Sequence, residues 1–300
     1  MAARIHLLVN PRSGPWLRRL FGQGNEALQD IQDIEIRRVA LDDFKQNAAA
    51  FLIDMNPQTD AIGISGGDGS VNYVINQAEL QAFPILILPQ GSGNGFARHL
   101  QIPMDVNKAL ELARHGTLLQ CDCGEINGRR FASLAGIGFD ALVAEKYNRL
   151  RQRGWLTYAY VIIREYFRYK ERTYQLQVDG KHIRTSALFI VFANGGQFGY
   201  NTQVAPQASV TDGLLDVVIF KHISLKDIPE FIRSILDGRL SSLPWAEIYK
   251  ARDVRVIGRK GRTVNVDGEA VKMSRNLHIR ILPKSLRVFI QKKKPLDTED

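Results

Sequence analysis

Three short stretches of the chain carry residue types suited to holding an anion: residues 10–14 (NPRSG), 66–72 (GGDGSVN) and 89–98 (PQGSGNGFAR). Each lies between an apolar run and a helical pattern. Glycine lets main-chain N–H groups come close to a ligand, and a helix start adds partial positive charge, so such turns suit phosphate. None is a Walker A lysine loop or a GxGxxG dinucleotide fingerprint. Asp68 stands out, because a carboxylate among phosphate-facing amides repels the ligand unless it serves a metal ion, a base or a sugar hydroxyl. A single glycine turn is ordinary punctuation. Three on one edge, with an aspartate in the second, point to a bound polyphosphate with Mg²⁺ nearby.

The elements around these turns decide where they meet. RIHLLVN, DAIGIS and PILILPQ read as buried strands entering the three turns, and IEIRRVAL as a further strand. Helical patterns occupy 16–31, DDFKQNAAAFLIDM (an aspartate suited to an N-cap), GSVNYVINQAEL and DVNKALELARHG, the last stopping at Gly116. Strand–helix alternation implies a parallel sheet covered on both faces, with all three turns at the carboxyl ends of strands, where such sheets bind ligands.

After Gly116 the rhythm changes. LLQCDCGEING, RRFASLAGIGF, TYQLQVDGKHI, TSALFIVFANG, GLLDVVIFKHI, AEIYKARDVRVIG, RTVNVDGEAV and NLHIRILP each read as one strand or hairpin, with turns at Asn127-Gly128 and Asp179-Gly180. The expected fold is α/β in two domains. Residues 1–122 form a three-layer α/β nucleotide-binding domain with a parallel sheet, to which 285–300 can return as a strand. Residues 123–284 form a mostly antiparallel β-sandwich.

The chain has 300 residues, 45% of them hydrophobic, and a net charge of +9. That supports a sizeable core and an anionic partner, a nucleotide or an acidic headgroup. No RNA- or DNA-binding motif accompanies the charge, so nucleic acid is not expected. Apolar runs are too short for a membrane span, and the N-terminal one is too short for a signal peptide, so the expectation is a cytoplasmic protein. Cys121 and Cys123 read as reduced thiols on one strand, flanking Asp122. The stretch 148–172 mixes arginines with aromatics. It reads either as a core helix or as a lid that touches an anionic membrane surface peripherally. A homodimer stays open.

GGDGSVNYVIN, with NPRSG before it and PQGSGNGFARHL after it, resembles the catalytic domain of diacylglycerol and sphingosine kinases. The resemblance continues through APQASVTDGLLDVVIF and VNVDGEAV, over nearly the whole chain. It is similar in particular to small bacterial lipid kinases with a nucleotide domain and a β-sandwich domain. The resemblance implies ATP-dependent phosphorylation of a lipid hydroxyl, on a sphingoid base or diacylglycerol. Phosphatidylglycerol, another lipid, or loss of chemistry with binding retained are the alternatives. It assigns nucleotide binding to Asn10, Pro11, Arg12, Ser13 and Gly14, to Gly66, Gly67, Asp68, Gly69, Ser70, Val71 and Asn72, and to Ser92. It implies a structural Mg²⁺ held by the Asp212 carboxylate with backbone oxygens of Ser209 and Leu214. Glu269, in the Asp267-Gly268-Glu269 element, takes the place of the general base, with Asp68 its competitor. Asp140 takes that of a residue meeting a lipid amino group. Ser70, Tyr73 and Gly95 depart from the threonine, glutamate and acidic residue usual in the family.

Overall fold

The computed structural model describes residues 4–10, 34–150, 155–197, 203–221, 223–237, 243–258 and 260–292. Pro11, Arg12, Ser13 and Gly14, and the helix expected over 16–31, lie outside the described residues.

Strands β1 (Arg4–Val9), β2 (Glu35–Ala40), β3 (Asp60–Gly66) and β4 (Ile85–Pro89) run parallel in the order β2-β1-β3-β4. Every residue of β3 and β4 is buried, as a strand covered on both faces requires. The Asp68–Ile75 helix leaves the end of β3 and the Gly95–His99 helix follows β4, so both turns open at one sheet edge. Two expected helices are each divided. DDFKQNAAAFLIDM breaks at Asn47, which has non-helical φ −145° and ψ 50°, and its first helix is capped by Ala40 without a side-chain bond. DVNKALELARHG divides at Glu111 into Val106–Leu110 and Leu112–His115, with Asp105 accepting from the Lys108 N–H at its start.

The remaining strands are β5 (Thr117–Ile126), β6 (Arg129–Phe131), β7 (Leu134–Gly138), β8 (Arg172–Val178), β9 (Lys181–Ala187), β10 (Phe189–Ala193), β11 (Leu215–Phe220), β12 (Ala246–Ala251), β13 (Asp253–Ile257), β14 (Arg262–Val266), β15 (Glu269–Met273) and β16 (Leu277–Ile290). One sheet continues from the parallel strands through β4-β16-β13-β8-β9, with β5 and β6 attached to it. The other is antiparallel, β12-β11-β10-β7-β14-β15. Alternate residues of β11 show the layering. Leu215, Val217 and Ile219 join the core between the two sheets, whereas Val218 and Phe220 pack with Phe139, Val143 and Val161 from the covering helices.

Three segments that read as single strands change sheets part-way: β6 to β7 at Ala132 and Ser133, β9 to β10 at Leu188, and β12 to β13 at Arg252. Carboxylates from Asp-Gly hairpin turns hold two of these corners. Asp179 Oδ1 accepts the N–H groups of Arg252 and Asp253 at 3.0 and 2.8 Å. Asp267 does the same for residues 132–134.

In the reverse sense, NLHIRILP and the segment after it form one long strand, β16. Its register slips between Leu282 and Leu286, and Val288 pairs with Ile85 of β4. Buried Asp122 secures the slip, accepting the N–H of Lys284 at 2.8 Å and that of Gly213 at 2.7 Å. Cys121 and Cys123 flank it as free, buried thiols, and burial pushes the Cys121 thiol up to about 12. Among the described residues no helix is long and apolar enough to cross a membrane.

Candidate active site

A cleft of about 1250 Å³ opens between the parallel strands and the antiparallel sheet. From the first half it takes Asn10, Gly67, Asp68, Gly69 and Ser70, with Asn72 one helical turn on and Ser92 from the next loop. Gly66 and Val71 are not in its lining; Gly66 closes β3 and Val71 is buried in the core.

The two glycine loops touch through their backbones. A Cβ on Gly67 would lie 2.8 Å from Gly91 Cα, a distance no side chain tolerates, so glycine is needed for contact rather than for its dihedral freedom. Asn94, in left-handed conformation at φ 55°, closes its own loop by accepting from Gly91 N–H at 2.9 Å and donating to Gly91 O at 2.8 Å. Asn10 Nδ2 donates to Ser70 Oγ at 3.0 Å and joins the first loop to the second. Asp68 stands in the first turn of its helix, where Phe96 N–H donates to Oδ1 at 3.4 Å. Burial pushes this carboxyl up, opposed by the N–H groups of Gly95, Phe96 and Asn94.

The second half faces these loops with the β14–β15 hairpin. Asp267 (φ 47°) and Gly268 (φ 89°) make a two-residue turn with both φ positive, the geometry that matches strand twist. Asp267 is buried and accepts four bonds, from the N–H groups of Ala132, Ser133 and Leu134 at 2.8–3.0 Å and from Asn72 Nδ2 at 2.9 Å. Burial pushes it up to about 6 despite these donors, Ala132 N–H foremost. Glu269, two residues on, is half-exposed and points into the cleft. Its Oε1 lies 3.2 Å from where a Cβ on Gly69 would be, and its Oε2 accepts from Arg129 Nη2 at 2.7 Å. The fold thus brings Asp68 and Glu269, 201 residues apart in sequence, into the lining of one cleft.

A family model of the diacylglycerol kinase catalytic domain matches residues 4–126, and one of the YegS C-terminal NAD kinase beta sandwich-like domain matches residues 133–290. The chain belongs to the diacylglycerol kinase family of lipid kinases. It is 30% identical over 245 residues to the lipid kinase YegS of Escherichia coli K12, covering 77% of this chain and 78% of that one. With a diacylglycerol kinase of Mycobacterium tuberculosis it is 26% identical over 274 residues, covering 89% and 88%. In fold it resembles a diacylglycerol kinase structure from Bacillus anthracis str. Sterne, at a TM-score of 0.71 and 22% identity over 96% of this chain and 97% of that one.

Other residues singled out in this lipid kinase lie away from the cleft wall. Asp140 is buried behind Asn265, whose Nδ2 donates to Asp140 Oδ2 at 2.9 Å while its Oδ1 accepts Gly268 N–H at 2.9 Å. Burial pushes Asp140 up to about 7, opposed by the Asn265 bond. Ser209, Asp212 and Leu214 are not in the cleft lining. Asp212 Oδ2 accepts from Lys250 Nζ at 2.8 Å, and Oδ1 accepts Leu214 N–H at 3.0 Å. Lys250, cross-strand partner of Asp216, also lies 3.8 Å from the Asp216 carboxylate. Lys250 thus already meets the carboxylate that the resemblance assigns to a structural Mg²⁺. Among the described residues no group of three or more His, Cys, Asp or Glu side chains is placed to hold a metal.

Arg129, Asn265 and Asp122 are absent from the sequence-derived site. An arginine after an Asn-Gly turn, an asparagine inside a strand and an aspartate between two cysteines carry no distinguishing spacing. Arg129 meets Glu269, Asn265 meets Asp140, and Asp122 meets Gly213 and Lys284, partners 91 to 162 residues distant.

Proposed function

We propose that this lipid kinase transfers the γ-phosphoryl group of ATP, supplied with its Mg²⁺ as substrate, to a primary hydroxyl of a long-chain lipid. The observation that carries this reading is Glu269 overhanging the Gly67–Gly69 turn. The turn's main-chain N–H groups suit the triphosphate, and the carboxylate stands where a hydroxyl approaching the phosphorus would pass. A lipid alcohol is a weak nucleophile. Glu269 accepts its proton as the new O–P bond forms and the bond to the leaving ADP breaks. Glu269 is favoured over Asp68 as base because its side chain is open to the cleft, whereas Asp68 is engaged by main-chain N–H groups. Asp68 fits better as a group that ties the two glycine loops together and faces the nucleotide's cation.

Diacylglycerol is the first substrate to test, because Asn265 screens the one carboxylate assigned to an amino-lipid. A sphingoid base is the second reading, favoured by Asp140 lying a single hydrogen bond behind the wall.

Docking on a membrane is supported by the Trp155–Tyr166 helix. Leu156 (81%), Tyr160 (57%) and Ile163 (50%) are exposed at helical spacing, and Phe167 (66%) continues the stripe. Arg164, Arg168 and Lys170 adjoin it, a pattern suited to an anionic lipid surface, and Tyr158 of the same helix reaches the cleft.

Incubating the protein with labelled ATP, Mg²⁺ and vesicles carrying single lipids tests the reading. Labelled phospholipid should appear from diacylglycerol. Absence of product from every long-chain alcohol, including sphingoid bases, would remove it.

A further inference from the structure

We infer that Arg129 is a catalytic residue whose guanidinium, paired with Glu269 in the structure described here, passes to the transferring phosphoryl group when nucleotide enters. The inference rests on the lipid-kinase reading of this cleft. Arg129 opens β6 directly after the Asn127-Gly128 turn, which holds its backbone in register with Ile126. One side-chain nitrogen, Nη2, bonds both Glu269 Oε2 at 2.7 Å and Asn72 Oδ1 at 3.2 Å, so the guanidinium spans from the helix of the aspartate loop to the proposed base. Its buried Nε has no hydrogen-bond partner among the described residues. A guanidinium in the cleft lining that touches both the helix of the aspartate loop and the base is placed to meet charge that develops during transfer.

Magnitudes favour the move. The Arg129–Glu269 pair is part-exposed, with side chains 34% and 50% accessible. Such part-exposed pairs contribute little to stability, so separating one is cheap. A triphosphate offers more negative charge than one carboxylate and can take the guanidinium fork through two oxygens. Arriving triphosphate therefore draws Arg129 from Glu269, which leaves the carboxylate free to take the hydroxyl proton. The base becomes available only when the phosphoryl donor is present. Arg129 stays protonated throughout. The lipid proton goes to Glu269, the lipid oxygen forms the new bond to phosphorus, and the electron pair of the broken P–O bond stays on ADP.

The test compares the parent with Arg129→Ala, Arg129→Lys and Glu269→Gln. Arg129→Ala should lower kcat by about 10²–10³-fold, in the range found for removal of one transition-state donor. Lysine should recover part of the loss, and added guanidinium ion should restore part of the alanine variant's rate. Independently of any lipid, ADP with aluminium fluoride mimics the phosphoryl group in flight. The parent should bind that complex more tightly than ADP alone. Arg129→Ala should lose this tightening while its ADP affinity stays within about threefold, and Glu269→Gln should keep it. If Arg129 only positions Glu269, the two variants behave alike, and that overturns the inference. So does equal tightening in the parent and Arg129→Ala, or none in the parent. An active parent with an equally active Arg129→Ala removes this inference alone, whereas a parent inactive on every lipid removes the kinase reading.

Discussion

Asp267 Oδ2 accepts from Asn72 Nδ2 at 2.9 Å, a bond between residues 195 positions apart that fastens the helix of the aspartate loop to the turn carrying Glu269. The same carboxylate gathers three successive N–H groups at the corner where β6 gives way to β7. Removing it would leave those donors buried without partners, at about 1–3 kcal/mol each before relaxation. Asp267→Ala should therefore destabilise by at least about 3 kcal/mol in denaturant unfolding. Asn72→Ala, which spares the corner, should cost about 1–2 kcal/mol. Equal losses in the two variants would show that the corner is not what Asp267 holds.

Glu269→Gln should lower kcat by about 10²–10⁴-fold, the range for general acid–base groups, with the melting temperature unchanged. The side chain is half-exposed and its ion pair contributes little to stability. Asp68→Asn should also lose activity and remain folded, since the amide oxygen can still accept the Phe96 N–H. Steady-state kinetics beside thermal melts check both, and full activity in either variant removes the role given to that residue.

Because Lys250 meets Asp212 and Asp216, chelator should leave the parent's melting temperature within about 2 °C of its value in Mg²⁺. Lys250→Ala exposes two carboxylates to each other, so it should melt lower and regain part of the loss in millimolar Mg²⁺. A parent that melts much earlier in chelator would mean a cation displaces the lysine.

Asp140 gives a pH signature. Its folded pKa, pushed to about 7 by burial, lies above the ordinary carboxylate value, so protonation favours the folded state. Its stabilising contribution is complete below about pH 4 and is lost as pH rises through about 7. Asp140→Asn keeps an acceptor for Asn265 without the buried charge. The variant should gain in melting temperature relative to the parent as pH rises from 5 to 8, and a difference independent of pH would contradict this. If a sphingoid ammonium does reach Asp140, the same substitution should lower kcat/KM for that lipid far more than for diacylglycerol.

Leu156→Ser with Phe167→Ser should weaken sedimentation with anionic vesicles and lower activity on vesicle-borne lipid. Turnover of a short-chain, water-soluble diacylglycerol should be little changed, because neither side chain lines the cleft. Equal loss on both substrates would place the stripe in the fold rather than at a membrane.

Local chemistry was enough for the edge that carries the glycine turns. Buried strand patterns ending in glycine turns put Gly67–Ser70 and Ser92 at the carboxyl ends of β3 and β4, because a parallel strand leads into its helix there. The Asp-Gly and Asn-Gly pairs marked their hairpins for the same local reason, a turn that needs two positive φ values. The corners were not legible. RRFASLAGIGF, TSALFIVFANG and AEIYKARDVRVIG keep strand character throughout, and whether such a run stays in one sheet depends on what its backbone N–H groups meet in space. For two of them that is the carboxylate of Asp267 or Asp179, 73 to 135 residues away in sequence. The tertiary structure likewise decided that NLHIRILP continues as one strand across the lysine held by Asp122, that Lys250 meets Asp212, and that Arg129 meets both Asn72 and Glu269. Each depends on charges and donors converging from distant strands, and no periodicity along a chain encodes which of them will meet.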